Sequence, residues 1–105
     1  MNKNTNGLHT EHLDNGMKLE TTYKDGIKNG SETYWYENGK KASEGFYENN
    51  ELEGTLTAWN EDGLLESEQG YKKGILNGKS IFYEDGLRAA EYMLENGEIS
   101  GNING

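Results

Sequence analysis

The sequence contains no cysteine and no proline among its 105 residues. Without cysteine, the chain has neither a disulfide framework nor a thiolate nucleophile. No window approaches the roughly 18 consecutive apolar residues of a membrane-spanning helix, and the first residues lack the apolar run of a secretory signal. These absences exclude the disulfide-rich and membrane-spanning classes and predict a cytoplasmic protein.

Basic residues are scarce: 10 Lys and Arg face 19 Asp and Glu, which gives a formal net charge of −9. An acidic surface repels phosphate backbones and anionic lipid. Direct binding to nucleic acid or to a membrane is therefore not expected, and the charge favours a basic protein as the partner.

Apolar residues make up only 31% of the chain, against about 45–50% in typical globular proteins, so we expect no thick hydrophobic core. The chain nevertheless has seven Tyr, two Trp, two Phe and 15 Gly. Disordered chains are poor in aromatic residues, and glycine supplies the positive φ that tight turns need. The composition predicts a folded chain with many turns.

The glycines recur with a period close to 24 residues, as at Gly30, Gly54 and Gly78. Between them, Asn-Gly or Asp-Gly pairs separate runs of β-formers such as TYWY and SIFY, and such pairs predict two-residue type I′ hairpins. No helical periodicity intervenes. The pattern predicts an all-β meander of about eight strands, with turns at 15–16, 38–39, 62–63 and 85–86.

Two segments, YWYENGKKASEGFYENNELEG and FYEDGLRAAEYMLENGEISG, carry a family resemblance. Their pattern of glycines, aromatics and Asn/Asp-Gly pairs resembles the MORN repeat, in the variant form found in bacteria, and the resemblance extends over residues 8–105. It implies a single-layer curved antiparallel sheet of tandem hairpins. The implied division is an N-terminal extension at 1–7, repeats one to four at about 8–30, 31–54, 55–78 and 79–101, and a partial fifth repeat.

If the turns of repeats two to four contain two residues, each hairpin places an aromatic side chain opposite a defined partner. Trp35 then lies opposite Ala42, Trp59 opposite Glu66 and Phe82 opposite Ala89. Strand alternation adds one glutamate per repeat to the same face, although a β-bulge would mix the two faces. The predicted partner-binding residues are Trp35, Glu44, Trp59, Glu68, Phe82 and Glu91.

Both sets of side chains have a second interpretation. The aromatic file either supplies anchors for a partner or stabilises the sheet by stacking. The glutamates form a rail of negative charge, or they are ordinary solvated side chains or repeat-specific hydrogen-bond partners of the backbone. The sequence leaves both alternatives open.

Catalytic chemistry is not expected, and neither is a cofactor. The two histidines, His9 and His12, are three residues apart and would point to opposite faces of a strand, which is unsuitable for binding one metal ion. The serines lack a nucleophile elbow and a histidine base later in the chain.

The family resemblance implies a function in inhibition, because bacterial MORN-variant proteins of this size are often assigned as YwqK-type antitoxin or immunity proteins. The expected function is a non-enzymatic module that binds a basic partner, such as a nuclease toxin, through an acidic and aromatic sheet face. The alternatives are a phage-encoded inhibitor of a host defence nuclease that mimics nucleic-acid charge, and a scaffold or membrane-associated module. Homo-oligomer formation through the sheet edges is also left open.

Overall fold

In a computed structural model of the chain, residues 5–104 are described. Every regular element in this range is a β-strand. The strands are β1 (Gly7–His12), β2 (Lys18–Lys24), β3 (Ile27–Trp35), β4 (Lys41–Glu48), β5 (Glu51–Leu52), β6 (Gly54–Trp59), β7 (Leu65–Lys72), β8 (Ile75–Glu84), β9 (Leu87–Glu95) and β10 (Glu98–Asn104).

The strands form one open antiparallel sheet in the order β1-β2-β3-β4-β6-β7-β8-β9-β10, and β5 also pairs with β4. The predicted all-β class, a single-layer curved antiparallel sheet of hairpins, is confirmed. Residues 5–104 contain ten strands rather than about eight because β5 and β6 are two parts of one interrupted strand, and because β10 adds the first strand of the partial fifth repeat. Residues 1–4 of the predicted extension, and Gly105, lie outside the described residues.

The four Asn/Asp-Gly pairs at which turns were predicted, 15–16, 38–39, 62–63 and 85–86, all lie at turns, but the predicted turn type is correct at only one of these four. At Asp85-Gly86 both residues have positive φ, 55° and 79°, which is the type I′ conformation. At 15–16, 38–39 and 62–63, only the glycine has positive φ. The type I′ prediction is therefore wrong for repeats one to three.

The hairpin of repeat two illustrates the turn that forms instead. The Tyr36 N–H donates to the Lys40 carbonyl over 2.8 Å, and the Gly39 N–H donates to the Tyr36 carbonyl over 2.9 Å. This is a three-residue loop, in which a type I turn is followed by a glycine bulge. The difference follows from spacing, because Gly63 follows Gly54 by nine positions but Gly86 follows Gly78 by only eight.

The glycines with a period of 24 residues form bulges rather than turns. Gly30, Gly54 and Gly78 have φ of 126°, 86° and 97°, a region that side-chain-bearing residues rarely adopt. At Gly30, an added Cβ would also lie 2.9 Å from the Cγ2 atom of Thr22. Gly30 and Gly78 lie within continuous strands, β3 and β8, whereas next to Gly54 the strand is interrupted at Glu53, which separates β5 from β6.

At the edge of the sheet next to these bulges, each turn is hydrogen-bonded to the preceding repeat. The Asn50 N–H donates to the Lys28 carbonyl, the Gly74 N–H to the Leu52 carbonyl, and the Gly97 N–H to the Leu76 carbonyl, over 2.8–2.9 Å. Asn50, which replaces a turn glycine, adopts a φ of 70°, which asparagine tolerates. These bonds hold successive hairpins in line.

The sheet has almost no apolar core. Ala42, 8% exposed, is the only buried apolar residue in the part of the chain that the structure describes. The other buried side chains are polar or charged: Thr21, Glu32, Thr33, Ser80 and Glu91. Because nothing in residues 5–104 forms a second layer over either face, backbone ladders and cross-strand side-chain pairs must supply most of the stability.

Candidate functional site

A row of paired residues crosses the sheet from β1 to β9. Directly paired residues of antiparallel strands share a face, so these side chains project from one side, which we call the glutamate face. The glutamates, Glu20, Glu44, Glu68 and Glu91, form the glutamate row, and their spacing of two strands corresponds to about 9–10 Å. The full row is Thr10, Glu20, Thr33, Glu44, Thr57, Glu68, Ile81 and Glu91.

Five of the six residues predicted to bind a partner project from the glutamate face. Glu44, Glu68 and Glu91 belong to the row itself. Trp35 and Trp59 each lie two residues beyond the row position of their own strand, and therefore point to the same side.

The prediction that Phe82 shares this face is wrong. Phe82 pairs with Ser67 and with Ala90 rather than Ala89, so it projects from the opposite side. Tyr83 takes the position on the glutamate face that corresponds to Trp35 and Trp59. The reason is the loop of repeat four, which is one residue shorter than those of repeats two and three. Strand residues counted back from the turn are therefore displaced by one position, which reverses their direction.

The residues predicted to pair with the two tryptophans across the hairpin are also wrong by one position. Trp35 pairs with Lys41 rather than Ala42, and Trp59 pairs with Leu65 rather than Glu66. In both of these hairpins a bulge follows the three-residue loop and restores the predicted register further along the hairpin.

Trp35 is held by residues of its own chain. Its Nε1–H donates a 2.8 Å hydrogen bond to Oε1 of Glu20. The Nζ atoms of Lys18 and Lys41 lie 5.4 Å and 5.8 Å from the ring centroid, within the range of cation–π attraction. The indole therefore has both an acceptor and two cations from neighbouring strands.

Two further glutamates of the row are paired with cations. Glu44 accepts hydrogen bonds from Thr33 Oγ1 and from Lys41 Nζ, both over 3.1 Å. Glu91 is buried at 3% exposure, and its carboxylate lies 3.0 Å from Arg88 Nη1 and 3.6 Å from Lys79 Nζ. The predicted rail of negative charge is therefore largely neutralised within the chain.

Glu68 differs from the other glutamates of the row. It accepts a 2.6 Å hydrogen bond from the Tyr83 hydroxyl, and this bond raises the pKa of Tyr83. Among residues 5–104, no cationic side chain forms an ion pair with it. Glu68 is thus the one member of the row that keeps an uncompensated negative charge.

Glu68 lacks a cation because of the residue at one repeat position, which lies two residues after each turn glycine. Repeats one, two and four have a basic residue there, and its ammonium or guanidinium contacts the glutamate of the same repeat. Repeat three has leucine. Sequence reasoning missed this column, although the constant offset from Gly16, Gly39, Gly63 and Gly86 makes it visible: the four residues are Lys18, Lys41, Leu65 and Arg88.

The turns of the four repeats carry a second acidic feature, which we call the acidic edge. Its six carboxylates are all exposed, and none of them forms a salt bridge within residues 5–104. Neighbouring loops contact each other, since Asn38 Nδ2 donates to the Glu61 carbonyl over 2.9 Å. The members are Asp14, Glu37, Glu61, Asp62, Glu84 and Asp85.

The opposite side, the tyrosine face, includes Tyr23, Tyr34, Tyr47, Tyr71 and Tyr92. Near its N-terminal end lies a hollow of about 500 Å³ that is lined in part by His9, Tyr23, Lys28 and Glu32. Lys28 Nζ lies 2.9 Å from Glu32 Oε2 and 4.8 Å from the Tyr47 ring centroid. The hydrogen bond to Glu32 raises the pKa of Lys28. Lys28 and Glu32 therefore neutralise each other within the chain.

The histidines lie on opposite faces, because His9 pairs with Thr21 and His12 with Lys18. In the described range, no group of three or more His, Asp or Glu side chains could hold a metal ion. The same residues include no helix with the length and apolar character needed to cross a membrane.

Comparison with known proteins does not assign the chain to a family. No family model matches the sequence, and a search of curated proteins finds no match. The resemblance to the bacterial MORN-variant repeat therefore stays a prediction, while the repeated antiparallel hairpin architecture is established by the fold itself.

Proposed function

We propose that this chain is a non-enzymatic, cytoplasmic inhibitor of the antitoxin or immunity type, which binds a basic protein such as a nuclease toxin. The observation that carries the proposal is the acidic edge, where six exposed carboxylates have no salt-bridge partner among the described residues. Since the net charge is −9, the surrounding field reinforces this edge and would accelerate encounter with a basic surface.

The glutamate row supports this function less than its sequence suggests, because three of its members already pair with cations of the chain. An ion pair that is satisfied internally must be broken before a partner can use either charge. The carboxylates of the acidic edge need no such rearrangement and are the groups best suited to long-range attraction.

The test uses the product of the neighbouring gene, purified and mixed with this chain. We expect a basic protein whose association rate falls steeply with added salt, because exposed charges are screened over about 10 Å at 0.1 M ionic strength. Changing Glu61, Asp62, Glu84 and Asp85 to their amides should slow association.

A matched control neutralises four exposed carboxylates at the opposite edge, so that the net charge changes equally. It should slow association less. A rate that is insensitive to salt, or equally sensitive to both quadruple variants, would contradict the proposed role of the acidic edge. The control residues are Glu48, Glu51, Glu95 and Glu98.

A second candidate is inhibition of a host defence nuclease by nucleic-acid charge mimicry. It is favoured by the arrangement of the acidic edge, whose carboxylates recur at consecutive loops along one side of the sheet. Duplex DNA should then compete with the chain for the nuclease, whereas an inhibitor that binds away from the nucleic-acid groove would not be displaced.

A further inference from the structure

Repeat three has a tryptophan and a glutamate at the positions where repeat two binds a lysine side chain, but it has no lysine of its own at that position. At Trp35, two lysines lie over the ring and Glu20 accepts the indole N–H. At the equivalent Trp59, the paired residue of the neighbouring strand is Leu65. The two tryptophans stand at the same repeat position, five residues after Gly30 and Gly54.

The Trp59 indole N–H makes no hydrogen bond to any residue that the structure describes. Its expected acceptor, the glutamate of the preceding hairpin, is Glu44, which instead accepts from Thr33 and Lys41. Trp59 is half-buried, and its Nε1 is not among the buried polar atoms that lack a partner. The indole N–H is therefore accessible from outside the protein.

Glu68 lies next to this tryptophan. Glu68 pairs with Thr57 on the strand of Trp59, and diagonal neighbours two residues apart are within reach of long and aromatic side chains. Only one hydrogen bond, from Tyr83, is directed to the Glu68 carboxylate by the described residues. An unpaired carboxylate and an aromatic ring without a cation thus lie side by side on an uncovered face.

From this arrangement we infer that Trp59 and Glu68 receive an arginine side chain of the basic partner. The guanidinium stacks on the Trp59 indole and donates hydrogen bonds to the Glu68 carboxylate, occupying the position that the chain's own lysines fill at Trp35. Arginine fits better than lysine because its planar group stacks on aromatic rings and donates in a fork that matches a carboxylate.

The inference rests on the proposed function, because it specifies how a basic partner is recognised. It also narrows the predicted site: Trp35, Glu44 and Glu91 are engaged within the chain, and Phe82 lies on the other face. A central aromatic anchor beside a single charge-assisted contact is typical of binding hot spots.

The two tryptophans allow a direct test by NMR, because they are the only indole groups in the chain. The probe is a blocked peptide of alternating glycine and arginine, added at low salt to the ¹⁵N-labelled protein. We expect the indole signal of Trp59 to shift and saturate, whereas the signal of Trp35, which is hydrogen-bonded to Glu20, should shift much less.

Two variants test the site from independent directions. Leu65→Lys supplies the missing cation from within and should weaken peptide binding by about tenfold, and Glu68→Gln removes the carboxylate and should have a similar effect. Lys41→Leu gives repeat two the residue of repeat three, and the Trp35 signal should then become sensitive to the peptide. The thermal unfolding midpoint of each variant verifies that the protein remains folded.

The outcomes separate this inference from the proposed function. If the peptide binds but both indole signals move equally, or if Leu65→Lys and Glu68→Gln leave the affinity unchanged, the arginine site is wrong while binding of basic partners stands. If the peptide does not bind even at low salt, both proposals fail. A glycine–lysine peptide should bind through the same site more weakly, and tighter binding than the arginine peptide would contradict the choice of arginine.

Discussion

Hairpins β3–β4 and β6–β7 have the same loop type, the same bulge and an equivalent tryptophan, yet the two tryptophans have different surroundings. Trp35 is enclosed by two lysines and a glutamate, whereas Trp59 has a leucine beside it and its indole N–H makes no hydrogen bond to the described residues. In a repeat protein, each repeat is an internal reference for the others. A position at which one repeat departs from the rest therefore marks a candidate for binding more clearly than the shared positions do.

The largest expected difference between the hairpins is in stability. Trp35→Ala should lower the free energy of unfolding by about 3 kcal/mol, since it removes a large side chain, a charge-assisted hydrogen bond and two cation–π contacts. Trp59→Ala should cost only about 1 kcal/mol, because it removes packing alone. Urea denaturation of the two variants measures both values. Equal losses would mean that the extra contacts of Trp35 do not stabilise the sheet.

A smaller difference is expected between two glutamates of the row. Glu91→Gln should destabilise the protein by about 1–2 kcal/mol, less than the about 3–5 kcal/mol of a fully buried pair, because both of its cations remain half-exposed and screened by water. Glu68→Gln should cost under about 0.5 kcal/mol, since an amide oxygen can still accept from Tyr83. Chemical denaturation distinguishes the two, and a larger loss at Glu68 would reverse the assignment of roles.

The smallest expected effect is a loss of stability at alkaline pH. Hydrogen bonding to Glu68 raises the pKa of Tyr83 above its ordinary value of 10.0, so the folded state retains the proton more tightly than the unfolded state. The corresponding stability is complete below pH 10.0 and is lost as the pH rises through the folded-state pKa.

Tyr83→Phe should therefore make the unfolding midpoint less sensitive to pH in this range, when the parent and variant are compared by denaturation across a pH series. Part of the alkaline loss should persist, because the pKa of Lys28 is also raised, by its hydrogen bond to Glu32. An unchanged pH profile would show that the Tyr83–Glu68 bond contributes no net stability.

The turns illustrate how far local sequence can be interpreted. The four selected Asn/Asp-Gly pairs located the turn of each repeat, because glycine adopts positive φ at no steric cost. They did not distinguish a two-residue from a three-residue loop, and that choice depended on a single residue of spacing in repeat four. The same residue moved Phe82 to the tyrosine face and brought Tyr83 beside Glu68, since a shift of one position reverses the direction of every side chain in a strand.

The candidate site was predictable only in part for a similar reason. Trp59 and Glu68 stand out in the sequence as an aromatic residue and an acid at repeat positions, but so do Trp35 and Glu44. The two repeats differ in the residue that follows the turn, which is Lys41 in one and Leu65 in the other. This difference is visible in the sequence, but only the fold reveals that Lys41 contacts both Glu44 and the Trp35 ring, while Leu65 leaves Glu68 without a cation.

The sequence alone determined that this chain forms a thin antiparallel meander with a period near 24 residues, because hairpin formation depends on glycine placement and strand alternation, which act over a few neighbouring residues. The tertiary structure decided which glutamates are neutralised and which side chains share a face. Those outcomes depend on bulges and on the register of neighbouring strands, where a displacement of one residue turns a side chain to the other face and gives it different neighbours.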